Sequence, residues 1–288
     1  MTAFVLAGGA SLGAVQVGML RALYEWNIVP DLLVATSVGA LNAAFIASRP
    51  QTVMTADELA RIWTTVQRQD VFPLDVRTMV GGLGGWRDHV VGPHALRRIV
   101  RRHIGFEDLA ESPIGIHLVS YDLSSGREVL LSSGSAVDAV LASTAIPGIL
   151  PPVRIGGRLL VDAAVVNNIP ISHAVALGAK RIYVLPTQDP HRAGGVPPRN
   201  ALDAAVFAFS VRANDRLQSD LARYADDAEL IVLPAPNAER VQPTDFRHAR
   251  RLTAEALVAS RAALAGSPAA ARHRAGAAHL YAVSPPNP

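Results

Sequence analysis

The stretch "LLVATSVGALNAAF" (32–45) decides the fold. Its apolar start reads as a strand buried on both faces, and 38–47 reads as a helix that follows with almost no connection. Ser37 sits on the turn between them. One reading makes it a helix N-cap, accepting a hydrogen bond from a free N–H of the first turn. The other makes it a nucleophile elbow of the G-x-S-x-G kind, where a tight strand-to-helix turn pushes a hydroxyl outward. Such a turn needs small flanking residues, because helix and strand pass close together. Gly39 meets that need, and Ala35 stands where the pattern has glycine. The positive end of a helix starting at Val38 would favour an alkoxide on Ser37.

Upstream, residues 4–6 read as a short strand and 12–27 as a helix. Between them lies Gly8-Gly9-Ala10-Ser11-Leu12-Gly13. A glycine turn opening a helix exposes backbone N–H groups and binds anions. Dinucleotide and P-loop uses fail: Ala10 interrupts G-x-G-x-x-G, Ala14 stands where a P-loop needs lysine, and no acidic residue follows the second strand. An oxyanion hole built from Gly8, Gly9 and Ala10 is the better use. If the first two strands are neighbours, this turn and Ser37 share the end of the sheet at which open α/β folds bind ligands. Downstream, "LLVDAAVVNNIP" (159–170) brings Asp162 to the end of another apolar strand. Alone, it is an ordinary turn or cap residue. A serine nucleophile, however, needs a base or an orienting carboxylate nearby, and Asp162 is a candidate for that place.

The 288 residues are half hydrophobic and 18% charged, enough for a large core. Strand and helix alternate, giving an α/β fold with a mostly parallel sheet. One domain is expected over 1–265, with a disordered tail over 266–288. Further strands are expected at 114–121, 127–131, 158–161, 181–185 and 230–233. Helices are expected at 55–69, 135–143, 171–177, 200–223 and 245–264. The glycine-rich "VGGLGGWRDHVVGP" (80–93) reads as a mobile loop carrying Trp86.

No cysteine is present, so disulfides, thiolate metal sites and cysteine nucleophiles are excluded. A formal charge of +3 argues against nucleic-acid binding. No metal and no cofactor are expected. The basic residues concentrate in "PHALRRIVRRHI" (93–104), where Arg97, Arg98, Arg101 and Arg102 oppose Leu96, Ile99, Val100 and Ile104. That pattern is either a solvated helix face or, with Trp86, a patch for peripheral contact with an anionic membrane. No apolar run reaches the roughly 18 residues of a membrane span, and a cytoplasmic location with peripheral membrane contact is expected. His173, His191 and His248 follow Asp162, but none lies in a strand-end setting.

The ordered set "GGASLGAVQVGMLRAL", "LVATSVGALNAAF", "ASTAIPGILPPV" and "LVDAAVVNNIP" resembles the patatin-like phospholipase family. The resemblance runs over about residues 3 to 186. It implies a three-layer α/β/α sandwich and a Ser–Asp dyad without histidine, acting on fatty-acyl esters of phospholipids or related lipids. Ser37 would be the nucleophile, Asp162 its base, and N–H groups around Gly9 and Ala10 the oxyanion hole. The chain departs from the family pattern at Ala10, Ala35 and Ala163, where glycine is usual, and at Leu12, where many members have arginine. Two alternatives follow: a catalytically weakened or inactive protein binding lipid or a partner, and a small-ester carboxylesterase.

Overall fold

The computed structural model describes residues 1–73, 76–189, 198–199, 203–204, 216–236 and 241–266. Eight strands occur among them: β1 (Thr2–Leu6), β2 (Leu32–Thr36), β3 (Gly115–Asp122), β4 (Arg127–Leu131), β5 (Val153–Ile155), β6 (Arg158–Asp162), β7 (Arg181–Leu185) and β8 (Glu229–Val232). They form one sheet in the order β5-β6-β3-β2-β1-β7-β8, with β4 on the other edge of β3. The pairs β1–β2, β2–β3, β1–β7 and β7–β8 are parallel, while β4, β5 and β6 pair antiparallel.

The central strands carry runs of buried apolar residues, such as Ala3–Leu6 and Leu32–Ala35, because both faces are covered. Phe4, Leu6, Leu33, Ala35 and Leu118 join one buried cluster. Ala3, Val5, Leu32, Val34 and Val119 join another. The alternation has period two, so the clusters lie on opposite faces of the sheet. Helices α1 (Ala14–Glu25), α2 (Val38–Ala47), α3 (Val53–Thr65), α6 (His94–His103), α7 (Ala136–Ser143) and α9 (Ala249–Ala265) pack on the first cluster. Helix α8 (Ile171–Ala176) packs on the second. The result is an α/β/α sandwich.

Two short helices, α4 (Arg68–Val71) and α5 (Val76–Leu83), also occur among the described residues, and 216–223 is helical. Helices α4 and α5 correct sequence expectations. The helix expected over 55–69 stops at Thr65, because Val66 turns extended, and a capping box between Gln67 and Asp70 starts α4. The loop expected over 80–93 is helical to residue 83. Its glycines are tolerated because packing overrides their low propensity: a side chain on Gly82 would run into the His89 carbonyl. The chain then turns back, with Trp86 and Arg87 N–H groups donating to the Gly81 carbonyl, and Trp86 stands 82% exposed. Strand β5 was hidden behind the prolines of 147–152. It forms a hairpin with β6 through Gly156 and Gly157, both at positive φ, as a tight two-residue turn demands. Most of the helix expected over 200–223 and the tail expected from 266 onward lie outside the described residues. Among the described residues, no helix is long and apolar enough to cross a membrane.

Candidate active site

Strand β3 brings the two candidate catalytic residues together. Its first half pairs with β2, ending at Thr36 opposite Val119. Its second half pairs with β6, and Asp162 lies opposite Ser120. Strand β4 occupies the other edge over residues 118–122, so β2 and β6 share one edge of β3. They approach from opposite directions and end at adjacent positions. Two segments 125 residues apart in sequence, one ending at Ser37 and the other at Asp162, therefore meet tip to tip.

Ser37 precedes α2 with φ 56° and ψ −127°. A non-glycine residue in that region is strained, by about 1–3 kcal/mol, and persists only where its surroundings enforce it. Three contacts do so here. The Ser37 N–H donates to Ser143 Oγ (3.0 Å), whose hydroxyl donates to the Val119 carbonyl (2.8 Å). The Thr36 hydroxyl donates to the Asn167 carbonyl (3.1 Å). Gly39 lets α2 lie against β1, since a Cβ there would press on the Leu6 and Ala7 carbonyls. Ser37 accepts no bond through its side chain from the first turn of α2, so it does not act as a side-chain N-cap.

Asp162 is 1% exposed. Its Oδ1 accepts the Ala164 N–H (2.8 Å), and its Oδ2 has no hydrogen-bond partner among the described residues. Burial pushes its pKa up to about 7, and the neighbouring Ser37 hydroxyl and the Ala164 N–H pull it back only in part. Among the described residues the Ser37 hydroxyl makes no direct hydrogen bond to Asp162; the two residues end neighbouring strands tip to tip. No histidine bonds to either residue among the described ones. His173 pairs with Glu128 (2.7 Å) and His248 with Asp245 (3.5 Å). His191 lies outside the described residues.

The glycine turn closes the site. A Cβ on Gly8 would stand 2.9 Å from Ser37 Cβ. The Gly8 N–H is not free, because it donates to the Asn168 carbonyl (3.2 Å), and the Gly8 carbonyl accepts from Thr187 Oγ1 (2.6 Å). Ser11 and Leu12 N–H groups are also engaged, with Pro243 and Gly9 carbonyls. Gly9 and Ala10 are the positions of this turn whose N–H groups donate to nothing among the described residues. They are the donors available to an oxyanion. Gly8 serves instead by its lack of a side chain.

Of the three alanines that replace a usual glycine, only Ala10 is strained. Its φ is 50°, whereas Ala35 lies within β2 and Ala163 is not at positive φ. Relief of about 1 kcal/mol is available at such a position. Ala10→Gly is expected to raise acyl-ester kcat several-fold, at most about tenfold, read with a p-nitrophenyl ester. Leu12 is fully buried, among the largest side chains of the core.

Beside Ser37 opens an apolar cleft with about 100 Å³ of room. Ala10, Leu41, Phe45, Trp63, Phe72, Leu96, Ile99, Val100, Leu150 and Phe246 line it, with His103 and Asn42 among its few polar groups. Phe246 stacks on Trp63, and Trp63 donates to Asn42. Helix α6 thereby acquires a clear role. Its apolar side walls the cleft, while Arg98, Arg101 and Arg102 face solvent and Arg97 pairs with Asp138 (2.7 Å). Sequence reasoning did not single out Ser143, Thr36, Asn167 or Thr187. Ser143 lies inside the quoted "ASTAIPGILPPV", and the asparagine pair follows Asp162 closely, but nothing local to either stretch shows which atoms it touches.

The sequence matches the family model described as patatin-like phospholipase over residues 4–175. An uncharacterized NTE family protein of Mycobacterium tuberculosis is 27% identical over 289 residues, covering 92% of this chain and 46% of the relative. Lysophospholipase nte1 of Aspergillus terreus is 26% identical over 181 residues, covering 63% of this chain and 11% of its own. The chain thus spans about half the length of the mycobacterial relative. Human GIVD cytosolic phospholipase A2, solved with methyl gamma-linolenyl fluorophosphonate, superposes with a TM-score of 0.46 at 12% identity, covering 96% of this chain and 59% of that one. This chain belongs to the patatin-like phospholipase family.

Proposed function

We propose that the protein is a lipid acyl hydrolase working through a Ser37–Asp162 dyad. What carries this reading is that Ser37, on its enforced φ 56° turn, follows the strand whose end abuts the end of the strand bearing the buried Asp162, whose Oδ2 has no partner among the described residues. The Ser37 hydroxyl gives its proton to Asp162 as Oγ bonds to the ester carbonyl carbon. The carbonyl oxygen takes the displaced electron pair and is held by the Gly9 and Ala10 N–H groups. The bond to the alkoxy oxygen then breaks, and the leaving alcohol takes the proton from Asp162. Water repeats the sequence on the acyl-enzyme and frees the fatty acid. No metal or cofactor enters any step. The cleft suits the acyl chain: each buried methylene contributes roughly 0.8 kcal/mol. A lysophospholipid is a natural first substrate to test, given the name of the fungal relative.

Contact with an anionic membrane belongs to the same proposal. Met79 and Val80 on α5 and Trp86 after it are exposed apolar groups, and Arg98, Arg101 and Arg102 lie on the solvent side of the helix that walls the cleft. The test is fatty-acid release from phospholipids, lysophospholipids, triglycerides and short esters, with co-sedimentation on anionic vesicles. Long-chain phospholipid or lysophospholipid turnover above that of short esters is expected. Trp86→Ala is expected to weaken vesicle binding several-fold and leave short-ester turnover unchanged. Turnover confined to short esters, without vesicle binding, would make the protein a small-ester carboxylesterase.

A further inference from the structure

Outside the site, on β4, Glu128 gathers an unusual number of partners. Its Oε2 accepts from Asn167 Nδ2 (2.7 Å) and contacts His173 Nε2 (2.7 Å), and its Oε1 accepts from Arg216 Nη1 (3.3 Å). Arg216 Nη1 also donates to the Val166 carbonyl (2.6 Å). These bonds converge on residues 166–167, within the segment that follows Asp162. That segment in turn touches both halves of the site. Its Asn167 carbonyl holds Thr36, next to Ser37, and its Asn168 carbonyl holds the Gly8 N–H, next to the free donors. Asn167 is fully buried, so its backbone cannot shift without losing both its side-chain and its carbonyl bonds.

We propose that Glu128 is a positioning residue for this site, acting through Asn167 to fix the elbow and the oxyanion turn relative to each other. The inference rests on the Ser37–Asp162 reading for its kinetic consequence but not for its structural one. Glu128 touches none of the reacting atoms. It is charged, partly buried and surrounded by donors, and that arrangement holds a segment more firmly than neutral hydrogen bonds would. Displacements well under an ångström at reacting atoms cost large factors in rate, up to about a hundredfold for a full ångström.

Glu128→Gln keeps the shape and removes the charge. It is expected to lower kcat for a p-nitrophenyl ester about tenfold with KM within roughly twofold, at a temperature where the variant is fully folded by circular dichroism. Thr36→Val breaks the link from segment to elbow by removing one hydroxyl. Because the two changes interrupt the same linkage, the double variant is expected to be no slower than the slower single one. Hydrogen exchange gives a readout that needs no turnover. The Gly8 amide, bonded to this segment, is expected to exchange about tenfold faster in Glu128→Gln, with α9 amides unchanged. If Glu128→Gln does not fold, Arg216→Gln takes its place, with a smaller fall of about threefold in kcat and the same Gly8 signature. A folded variant with wild-type kcat and wild-type Gly8 exchange overturns the inference, and so do multiplicative effects in the double variant. Absence of Ser37-dependent turnover in the wild type would instead sink the dyad, and Gly8 exchange would still decide the role of Glu128.

Discussion

Ser37→Ala is expected to lower acyl-ester kcat by on the order of 10⁴- to 10⁶-fold, leaving only what the oxyanion donors and the apolar cleft supply to attack by water. The fold should barely notice. The strained φ of 56° is enforced through the Ser37 N–H, bonded to Ser143, and through Thr36, bonded to Asn167. Neither bond uses the Ser37 hydroxyl. Alanine therefore meets the same backbone demand as serine, and a melting temperature within a degree or two of wild type is expected. A fluorophosphonate should label wild type at Ser37 and leave the variant untouched. Wild-type-like turnover in the variant would dispose of the nucleophile assignment. The inactive, lipid-binding alternative makes the opposite forecast: no turnover in either protein, and vesicle or lipid binding in both.

Much of this arrangement was legible in the sequence, for identifiable reasons. Buried parallel strands are near-continuous apolar runs, so β1, β2 and β7 stand out, and the abrupt switch to helix at Val38 marks the elbow. The pairing of β1 with β2, on which the shared sheet end depends, is realised, with Leu6 opposite Ala35. The illegible parts depend on contacts distant in sequence. That β2 and β6 share an edge of β3 is a fact of topology, and no window around Ser37 or Asp162 contains it. Gly8 looks like an oxyanion donor until Asn168, 160 residues on, is seen to occupy its N–H. Helix α5 runs through glycines that local propensity counts as breakers, because its packing partners stand elsewhere. The three alanines in place of glycine look equivalent on paper. Only backbone geometry shows that Ala10 alone carries strain.

Asp162→Asn is expected to lower kcat by about 10³-fold or more and, at neutral pH and above, to make the protein more stable. The two effects share one cause. Burial raises the carboxyl from its ordinary 3.8 to about 7, so the folded protein resists ionising Asp162 while the unfolded chain does not. Below about pH 4 both states hold the proton and folding loses nothing. As the pH climbs from there to 7 the unfolded chain releases its proton first, and stability falls until the folded carboxyl also ionises. Above about 7 the loss is complete. With about 1.36 kcal/mol for each pKa unit, it reaches on the order of 2–4 kcal/mol. Asparagine carries no charge to desolvate, and its oxygen can still accept the Ala164 N–H. Urea unfolding at pH 4.5 and pH 8 should therefore show the advantage of the variant over wild type growing with pH. An advantage that stays flat across this range would mean that Asp162 ionises at an ordinary pKa. With Asp162 as the proposed base, the same titration would govern catalysis, because only the ionised carboxylate could take the Ser37 proton. Wild-type kcat/KM should rise about tenfold per pH unit below 7 and level off above it. On the proposed mechanism, the instability of the buried carboxylate is the property that would let it act as a base at neutral pH.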